Sequence, residues 1–361
     1  MILPGPGAID CDIHPALPNT AALLPYLDDY WREHITQRGL ELDNLDSGAY
    51  PPNAPISARP DWRGTNSKPG ADFSILKSHC LDAFDSRFAI CNVIHAAPLV
   101  YSEDLAAAFC RAINGWMAKE WLDRDPRLRA SIVVPIHSPD LAAAEIERCA
   151  ADPRFVSVLL LASAELPLGR RLNWPIYAAA ERNNLPIGVH AGSSFRHATT
   201  NSGWPSYYLE DYVGLASGCA SALNSLICEG VFVQYPSLKV VLMESGVSWL
   251  PNFIWRANKT WRAARMEVPW QTKSPGEYIR DHVRLTVQPF DAPPTAAMTE
   301  RVMEEIGSDE ILLFATDFPH WHFDGAEALP DGIPAHLARK IAIDNPLKTY
   351  PRLSQASETA P

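Results

Sequence analysis

The stretch ILLFATDFPHWHFD, residues 311–324, joins a short apolar run to a cluster of acidic and imidazole side chains. Its first part, ILLFAT, is almost continuously apolar and has the length of a strand that is buried on both faces. The stretch VSVLLLA, residues 156–162, is a second run of this kind. Such runs are typical of parallel sheets that are covered by helices.

Eight apolar runs alternate with helical patterns along the chain. They predict strands at Ala8–His14, Phe88–His95, Arg129–Ile136, Val156–Ala162, Pro186–His190, Lys239–Glu244, Val283–Gln288 and Ile311–Thr316. Residues 102–123 and 138–152 are two of the intervening stretches, with apolar residues at helical spacing. Eight strand–helix units in 361 residues predict an α/β fold, a closed (β/α)8 TIM barrel. An open doubly wound sheet is the alternative, and no glycine-rich phosphate motif follows a strand to support it.

Two long segments interrupt the alternation, at about residues 36–75 and 191–210. Each follows the carboxyl end of a predicted strand, which is the end of a barrel where active sites are built. We therefore expect one barrel domain over residues 1–361, with both insertions acting as lids.

Composition excludes several classes of protein. The net charge is −11, and no basic run is longer than two residues, so nucleic-acid binding is not expected. No apolar stretch reaches the length of a membrane span, and the first residues do not resemble a secretion signal. The seven cysteines are scattered, without a CxxC pair. We expect reduced thiols and a cytoplasmic protein.

Polar side chains end several of the predicted strands. The first strand ends with Asp12 and His14, the fifth with His190, the sixth with Glu244, and the eighth leads into Asp317. In a barrel, these ends meet at one mouth. Two imidazoles and two carboxylates, from Asp12, His14, His190 and Asp317, suit one divalent metal: zinc first, with manganese, iron or cobalt as substitutes.

The hexapeptide DCDIHP, residues 10–15, places Asp10, Asp12 and His14 at alternate positions. Since side chains of a strand alternate between two faces, all three are predicted to share one face. A buried carboxylate without a partner is costly, and a bound cation removes that cost. We expect Asp12 and His14 to bind the metal and Asp10 to support a ligand from one step deeper.

The chain resembles the amidohydrolase superfamily, in the branch of amidohydrolase-related family 2 that contains aminocarboxymuconate semialdehyde decarboxylase. The stretches that carry the resemblance are IDCDIHP (9–15), AINGWMAKEWLDRDPRLRASIVVP (112–135), WPIYAAAERNNLPIGVHAG (174–192), VFVQYPSLKVVLMESGVSWLP (231–251), LLFATDFPHWHFD (312–324) and NPLKTY (345–350). They occur in the same order as in the family and cover nearly the whole chain.

The resemblance implies a metal-dependent enzyme whose ligands are Asp12, His14, His190 and Asp317. It also implies a homodimer or larger homo-oligomer that acts on a small molecule. The fourth strand does not end in a lysine, so one metal is expected rather than a carbamate-bridged pair. Better-known members carry a histidine after the sixth strand, where this chain has Glu244. Glu244 can accept a proton or bind the metal, but it cannot act as a cationic acid.

Two reactions are consistent with these residues. The first is hydrolysis of a small cyclic or aromatic, acidic substrate by metal-activated water, with Asp317, Glu244 and His320 as catalytic residues. The second is non-oxidative decarboxylation of an aromatic or dienoic acid at the same metal. We place hydrolysis first because of Glu244. A barrel that only binds a ligand is the third alternative.

Four further residues are candidates for substrate binding. Trp249 and Trp321 suit a flat ring, and Arg256 suits an acidic group. His95 ends the second predicted strand. Packing for the tryptophans, surface charge for Arg256 and a structural role for His95 are the alternatives.

Overall fold

The computed structural model of the chain describes residues 5–40, 58–64, 67–193, 203–291, 293, 295–320, 329 and 333–355. Eight parallel strands form one sheet in which each strand pairs with the next in sequence. They are β1 (Ile9–Ile13), β2 (Phe88–Cys91), β3 (Leu128–Val133), β4 (Phe155–Ser163), β5 (Ile187–Ser193), β6 (Val240–Met243), β7 (Val283–Thr286) and β8 (Leu312–Leu313).

Helices alternate with these strands, as the sequence predicts. The α-helices are α1 (Asp29–Arg38), α2 (Phe73–Leu76), α3 (Glu103–Met117), α4 (Pro139–Ala150), α5 (Trp174–Arg182), α6 (Tyr208–Cys228), α7 (Val231–Gln234), α8 (Leu250–Ala264), α9 (Pro275–His282), α10 (Ala296–Ile306), α11 (Asn345–Thr349) and α12 (Pro351–Gln355). Helix α3 begins where Ser102 accepts a hydrogen bond from the backbone N–H of Leu105, with two acidic residues in its first turn. These are the usual signals of a helix N-terminus.

The sheet closes between β1 and the segment that follows β8. Backbone hydrogen bonds join Cys11 to Phe314 (2.9 Å), Asp317 to Asp12 (3.0 Å) and His14 to Phe318 (2.7 Å). An open doubly wound sheet has no such closure, so the predicted (β/α)8 TIM barrel is confirmed. The same bonds explain why β8 pairs with β7 over only Leu312–Leu313, although Ile311–Thr316 was predicted. Beyond Leu313, the backbone forms hydrogen bonds with β1 and with His14.

Apolar side chains form two layers. A smaller cluster fills the barrel and includes Ile9, Cys11, Ile90 and Met243, with Tyr350 among its fully buried members. A larger cluster packs the outer face of the sheet against the helices. All seven cysteines are unpaired thiols, and only Cys228 is exposed. Among helices of the described residues, none has the length and apolar character needed to span a bilayer.

Parts of both predicted insertions, residues 41–57, 65–66 and 194–202, lie outside the described residues. The second insertion is followed by α6, a long helix that the sequence analysis did not predict. The described end of the first insertion packs against the barrel mouth. Arg59 donates a backbone hydrogen bond to Pro319 (2.8 Å), and Ala16 donates one to Gly70 (3.0 Å). Gly70 has a φ of +79°, and a Cβ there would lie 2.5 Å from the carbonyl oxygen of His14, so this approach requires glycine.

Candidate metal centre

Six predicted site residues meet at the carboxyl ends of four strands. Strand β1 contributes Asp12 and is followed by His14, β5 carries His190, and Glu244 follows β6. Asp317 and His320 lie just beyond β8. The donor atoms form two overlapping sets, and within each set all atoms lie within 4.8 Å of one another. The first set is Asp12, His14, His190 and Glu244, and the second is His14, Glu244, Asp317 and His320.

A bulge in β1 aims Asp12 and His14 into the mouth. The register with β2 shifts between Asp10 and Ile13, and such a shift re-aims the side chains that follow it. Ile9 and Cys11 point into the barrel, so Asp10 lies on the opposite face by strand alternation. The prediction that Asp10 shares a face with Asp12 and His14 is therefore wrong, because period-two reasoning assumes an unbroken ladder.

Asp10 instead fastens β1 to the end of β8. Its carboxylate accepts hydrogen bonds from the backbone N–H of Thr316 (3.0 Å) and from Thr316 Oγ1 (2.6 Å). A weaker bond comes from the backbone N–H of Asp12 (3.3 Å). Burial raises the pKa of Asp10 to about 7. Asp10 thus supports the backbone at Asp12 and at Thr316, which precedes Asp317. The hydrogen bonds named here do not go to the side chain of a candidate ligand.

The donor atoms are spaced like the ligands of one ion. His14 Nε2 lies 3.0 Å from Asp317 Oδ1, 3.3 Å from Glu244 Oε1 and 3.4 Å from Asp12 Oδ1. His190 Nε2 lies 2.7 Å from Glu244 Oε1. Ligands at about 2.1 Å from a metal are separated by roughly 3 Å along the edges of its coordination polyhedron.

Four buried atoms of this cluster have no hydrogen-bond partner among the described residues: Asp12 Oδ2, His190 Nε2, Glu244 Oε1 and Asp317 Oδ2. Buried polar atoms are rarely left unpaired, and three carboxylates packed together repel one another. A divalent cation would satisfy these atoms and offset the repulsion. The residues therefore fit a metal ion.

The imidazoles of His14 and His190 both point Nε2, the nitrogen that would bind a metal, toward the cluster. His14 Nδ1 donates to the backbone oxygen of Asn92 (2.9 Å), and His190 Nδ1 donates to that of Ala191 (2.6 Å). Each bond leaves Nε2 pointing at the cluster, which is the usual arrangement of metal-binding histidines. His320 differs, because it uses Nδ1 to contact Asp317 Oδ1 at 2.8 Å.

The charges of the cluster perturb one another strongly. Burial alone would lower the pKa of His14, but Asp12, Asp317 and Glu244 raise it well above its ordinary value. Burial would raise the pKa of Glu244, yet His190, His14 and His320 hold it well below the usual range. Burial raises the pKa of Asp12. Strongly perturbed groups in one place are typical of a functional site.

Glu244 and Asp317 also share an unusual backbone conformation. Their φ angles are +52° and +58°, in the left-handed region that residues other than glycine seldom adopt. Backbone strain of this kind persists where the surrounding structure holds a functional side chain in place.

Asn92, which the sequence analysis missed, supports two candidate ligands. Its side-chain amide donates to Asp12 Oδ1 (2.8 Å) and to the backbone oxygen of Cys11 (3.2 Å). Its backbone oxygen accepts the bond from His14. A polar residue directly after the apolar run FAIC was the available signal.

The four candidate substrate residues are placed differently. His95 is buried and lines a cavity at the barrel mouth. Trp249 is half-buried, and its indole N–H donates to the backbone oxygen of Ser245 (2.8 Å). Arg256 is exposed on α8, outside both sets of candidate ligands. Trp321 lies outside the described residues. Their roles in binding stay predictions.

Comparison with known proteins gives the family. The amidohydrolase family model matches residues 9–352. A gamma-resorcylate decarboxylase from Polaromonas sp. is 24% identical over 278 residues, which is 72% of this chain and 83% of that protein. One from Rhodococcus jostii is 23% identical over 303 residues, which is 76% of this chain and 89% of that protein.

Solved structures of low identity share the fold. A 2,6-dihydroxybenzoate decarboxylase from Rhizobium has a TM-score of 0.67 at 18% identity, covering 96% of this chain and 99% of that one. A 5-carboxyvanillate decarboxylase from Novosphingobium aromaticivorans, solved with manganese and 4-hydroxy-3-methoxy-5-nitrobenzoic acid, has a TM-score of 0.67 at 16% identity, covering 96% and 97%. The predicted resemblance is confirmed, and with it the expectation of a metal-dependent enzyme, either a hydrolase or a carboxy-lyase. The chain belongs to the amidohydrolase family.

Proposed function

We propose that this protein is a metal-dependent decarboxylase that removes a carboxylate from a hydroxylated aromatic ring. The observation that carries the proposal is that the curated relatives reported above are all decarboxylases of one aromatic acid. They align with most of the chain. This ranks decarboxylation above hydrolysis, which the sequence analysis placed first.

We propose Asp12, His14, His190, Glu244 and Asp317 as the residues that hold the metal. Three carboxylates with two imidazoles form an oxygen-rich donor set, which suits manganese better than a site rich in sulfur or nitrogen does. Two related decarboxylases were solved with manganese bound. We therefore place manganese before zinc. When bound, the ion would act as a Lewis acid toward the substrate's carboxylate and the neighbouring ring oxygen.

Asp317 and His320 form the proton-transfer pair of the proposed reaction. Asp317 Oδ1 accepts a hydrogen bond from His320 Nδ1 at 2.8 Å, and Asp317 Oδ2 is buried without a partner among the described residues. A proton moves from Asp317 to the ring carbon that carries the carboxylate. The bond from that carbon to the carboxylate then breaks, its electron pair restores the aromatic ring, and carbon dioxide leaves. His320, which is partly exposed, returns a proton to Asp317.

Hydrolysis is the second candidate because of Glu244. Its Oε1 atom lies at the centre of the cluster, within 3.5 Å of His14, His190 and His320. A carboxylate in that place is able to accept a proton from an attacking water.

One assay separates the two reactions. The manganese-loaded protein is incubated with 2,6-dihydroxybenzoate and, in parallel, with a panel of aromatic lactones. We expect carbon dioxide in the headspace and one equivalent of resorcinol from the acid, with no acid release from the lactones in a pH-stat. Lactone opening without carbon dioxide release from 2,6-dihydroxybenzoate would replace this proposal with hydrolysis.

A further inference from the structure

A small cavity lies at the carboxyl ends of β2, β3 and β4, the same end of the barrel as the metal cluster. Its volume is about 30 Å³, which is room for roughly two water-sized groups. The lining is aliphatic, with contributions such as Val134, Leu159 and Leu161, apart from His95 and Ser163. The cavity is too small for an aromatic ring, but it is large enough for one short substituent.

His95 contributes one donor to this cavity. The side chain is 7% exposed, and its Nδ1 atom accepts a hydrogen bond from the backbone N–H of Ala97 (3.0 Å). The neutral ring therefore carries its proton on Nε2. Nε2 is buried and has no partner among the described residues. Burial, together with the charge of Lys68, lowers the pKa of His95 to about 4, so the ring is uncharged at neutral pH.

Two relationships place the cavity within about 10 Å of residues that support or pair with the candidate ligands. Asn92, which hydrogen-bonds Asp12, lies three residues before His95, and three residues span at most roughly 10 Å. On the other side, Leu161 pairs in register with His190. Since paired residues of parallel strands point to the same face, Leu161 faces the barrel mouth as His190 does. A ring held at the metal would therefore have this cavity within reach of its substituents.

We propose that this cavity is a subsite for a small uncharged substituent of the substrate's ring that carries an oxygen acceptor, such as a methoxy or hydroxyl group. The Nε2–H of His95 donates the hydrogen bond. A carboxylate does not suit the cavity, because a single neutral donor among aliphatic side chains leaves a buried charge uncompensated. The subsite would thus direct the reacting carboxylate to the metal and the neutral substituent away from it. This inference rests on the proposed function.

The test compares two acids that differ only by a methoxy group. 4-Hydroxy-3-methoxy-5-nitrobenzoic acid and 4-hydroxy-3-nitrobenzoic acid are titrated into the manganese-loaded protein by calorimetry. We expect the methoxy group to strengthen binding about tenfold. His95→Leu should reduce this preference to less than about twofold, and His95→Gln, which keeps an N–H donor, should retain part of it.

His282→Leu is the matched control. His282 is also buried, but its Nδ1 donates to the backbone oxygen of Leu238 (2.8 Å) and it directly precedes β7, at the amino-terminal end of the barrel strands. Its loss should leave the methoxy preference unchanged, and melting curves of all variants report whether they are folded.

The outcomes separate the subsite from the function. A tenfold preference that survives in His95→Leu, or its absence in the wild-type protein, would overturn the subsite while leaving decarboxylation in place. Failure of the wild-type protein to bind either acid would overturn the subsite, while carbon dioxide release from 2,6-dihydroxybenzoate decides the proposed function separately. Loss of the preference in His95→Leu alone supports the proposal.

Discussion

Glu244 and His190 face each other across neighbouring strands, with Glu244 Oε1 2.7 Å from His190 Nε2. Neither atom has a geometrically sound hydrogen bond among the described residues. The two atoms are therefore close enough to share an ion but are not oriented to bond one another. This arrangement supports Glu244 as one of the proposed metal ligands.

Replacing Glu244 by glutamine should weaken metal binding at least about tenfold, because an amide oxygen is a poorer ligand than a carboxylate. Chelator competition measures the affinity, and elemental analysis after dialysis measures the metal content. Glu145→Gln is the control, since Glu145 is equally buried but pairs with Arg148 on α4. A Glu244→Gln protein with wild-type affinity would leave Glu244 outside the set of ligands.

Asn92→Ala should also weaken metal binding, by about 10- to 100-fold. The substitution removes the hydrogen bond that orients Asp12, while the backbone bond to His14 remains. Asn114→Ala is a matched control, because Asn114 is similarly buried but bonds the backbone of Val133, away from the cluster. We expect it to lower stability without changing metal affinity. Equal effects of the two variants on affinity would mean that Asn92 acts only on folding.

Asp317→Asn should reduce kcat at least about 10³-fold, because the proposed proton donor is lost. The fold should be preserved, since asparagine tolerates the positive φ at this position as aspartate does. Steady-state kinetics and a melting curve test both statements. Asp85→Asn makes the same exchange at another left-handed residue, outside the cluster, and should leave kcat unchanged. Substantial turnover by Asp317→Asn would remove Asp317 from the mechanism.

The barrel and most of the candidate cluster were predictable from the sequence. Apolar runs identify parallel strands, and the polar residue that ends each run lies at the mouth. This reasoning identified Asp12, His190 and Asp317 from the amino-acid sequence alone. It works because burial on both faces of a strand leaves a strong apolar signal.

Other features depend on geometry that the sequence does not encode locally. The bulge in β1 places Asp10 on the opposite face of the strand from Asp12 and His14, and no residue type in DCDIHP predicts the bulge. Asn92 acts through hydrogen bonds to residues about 80 positions earlier, and such pairs emerge only when β1 and β2 are adjacent. Arg256 follows β6 in sequence yet lies exposed on α8, because helical phase decides where a side chain points.

His95 should make stability depend on pH. Its pKa is about 4 in the folded protein against 6.5 in the unfolded chain, so protonation favours unfolding. The part of the free energy of unfolding that depends on a neutral His95 is fully present above pH 6.5 and is lost as the pH falls toward 4. For a group this buried, the loss amounts to about 3 kcal/mol. Urea unfolding at pH 7.5 and 4.5 should show His95→Gln losing less stability on acidification than the wild-type protein. Parallel losses in both proteins would contradict a buried neutral His95.

Removal of the metal should lower the melting temperature by several degrees, and added manganese should restore it. An ion at about 1,000 times its dissociation constant stabilises the folded state by about 4 kcal/mol. Differential scanning calorimetry with and without a chelator measures the effect. A melting temperature that does not respond to the chelator or to manganese would argue against a bound ion.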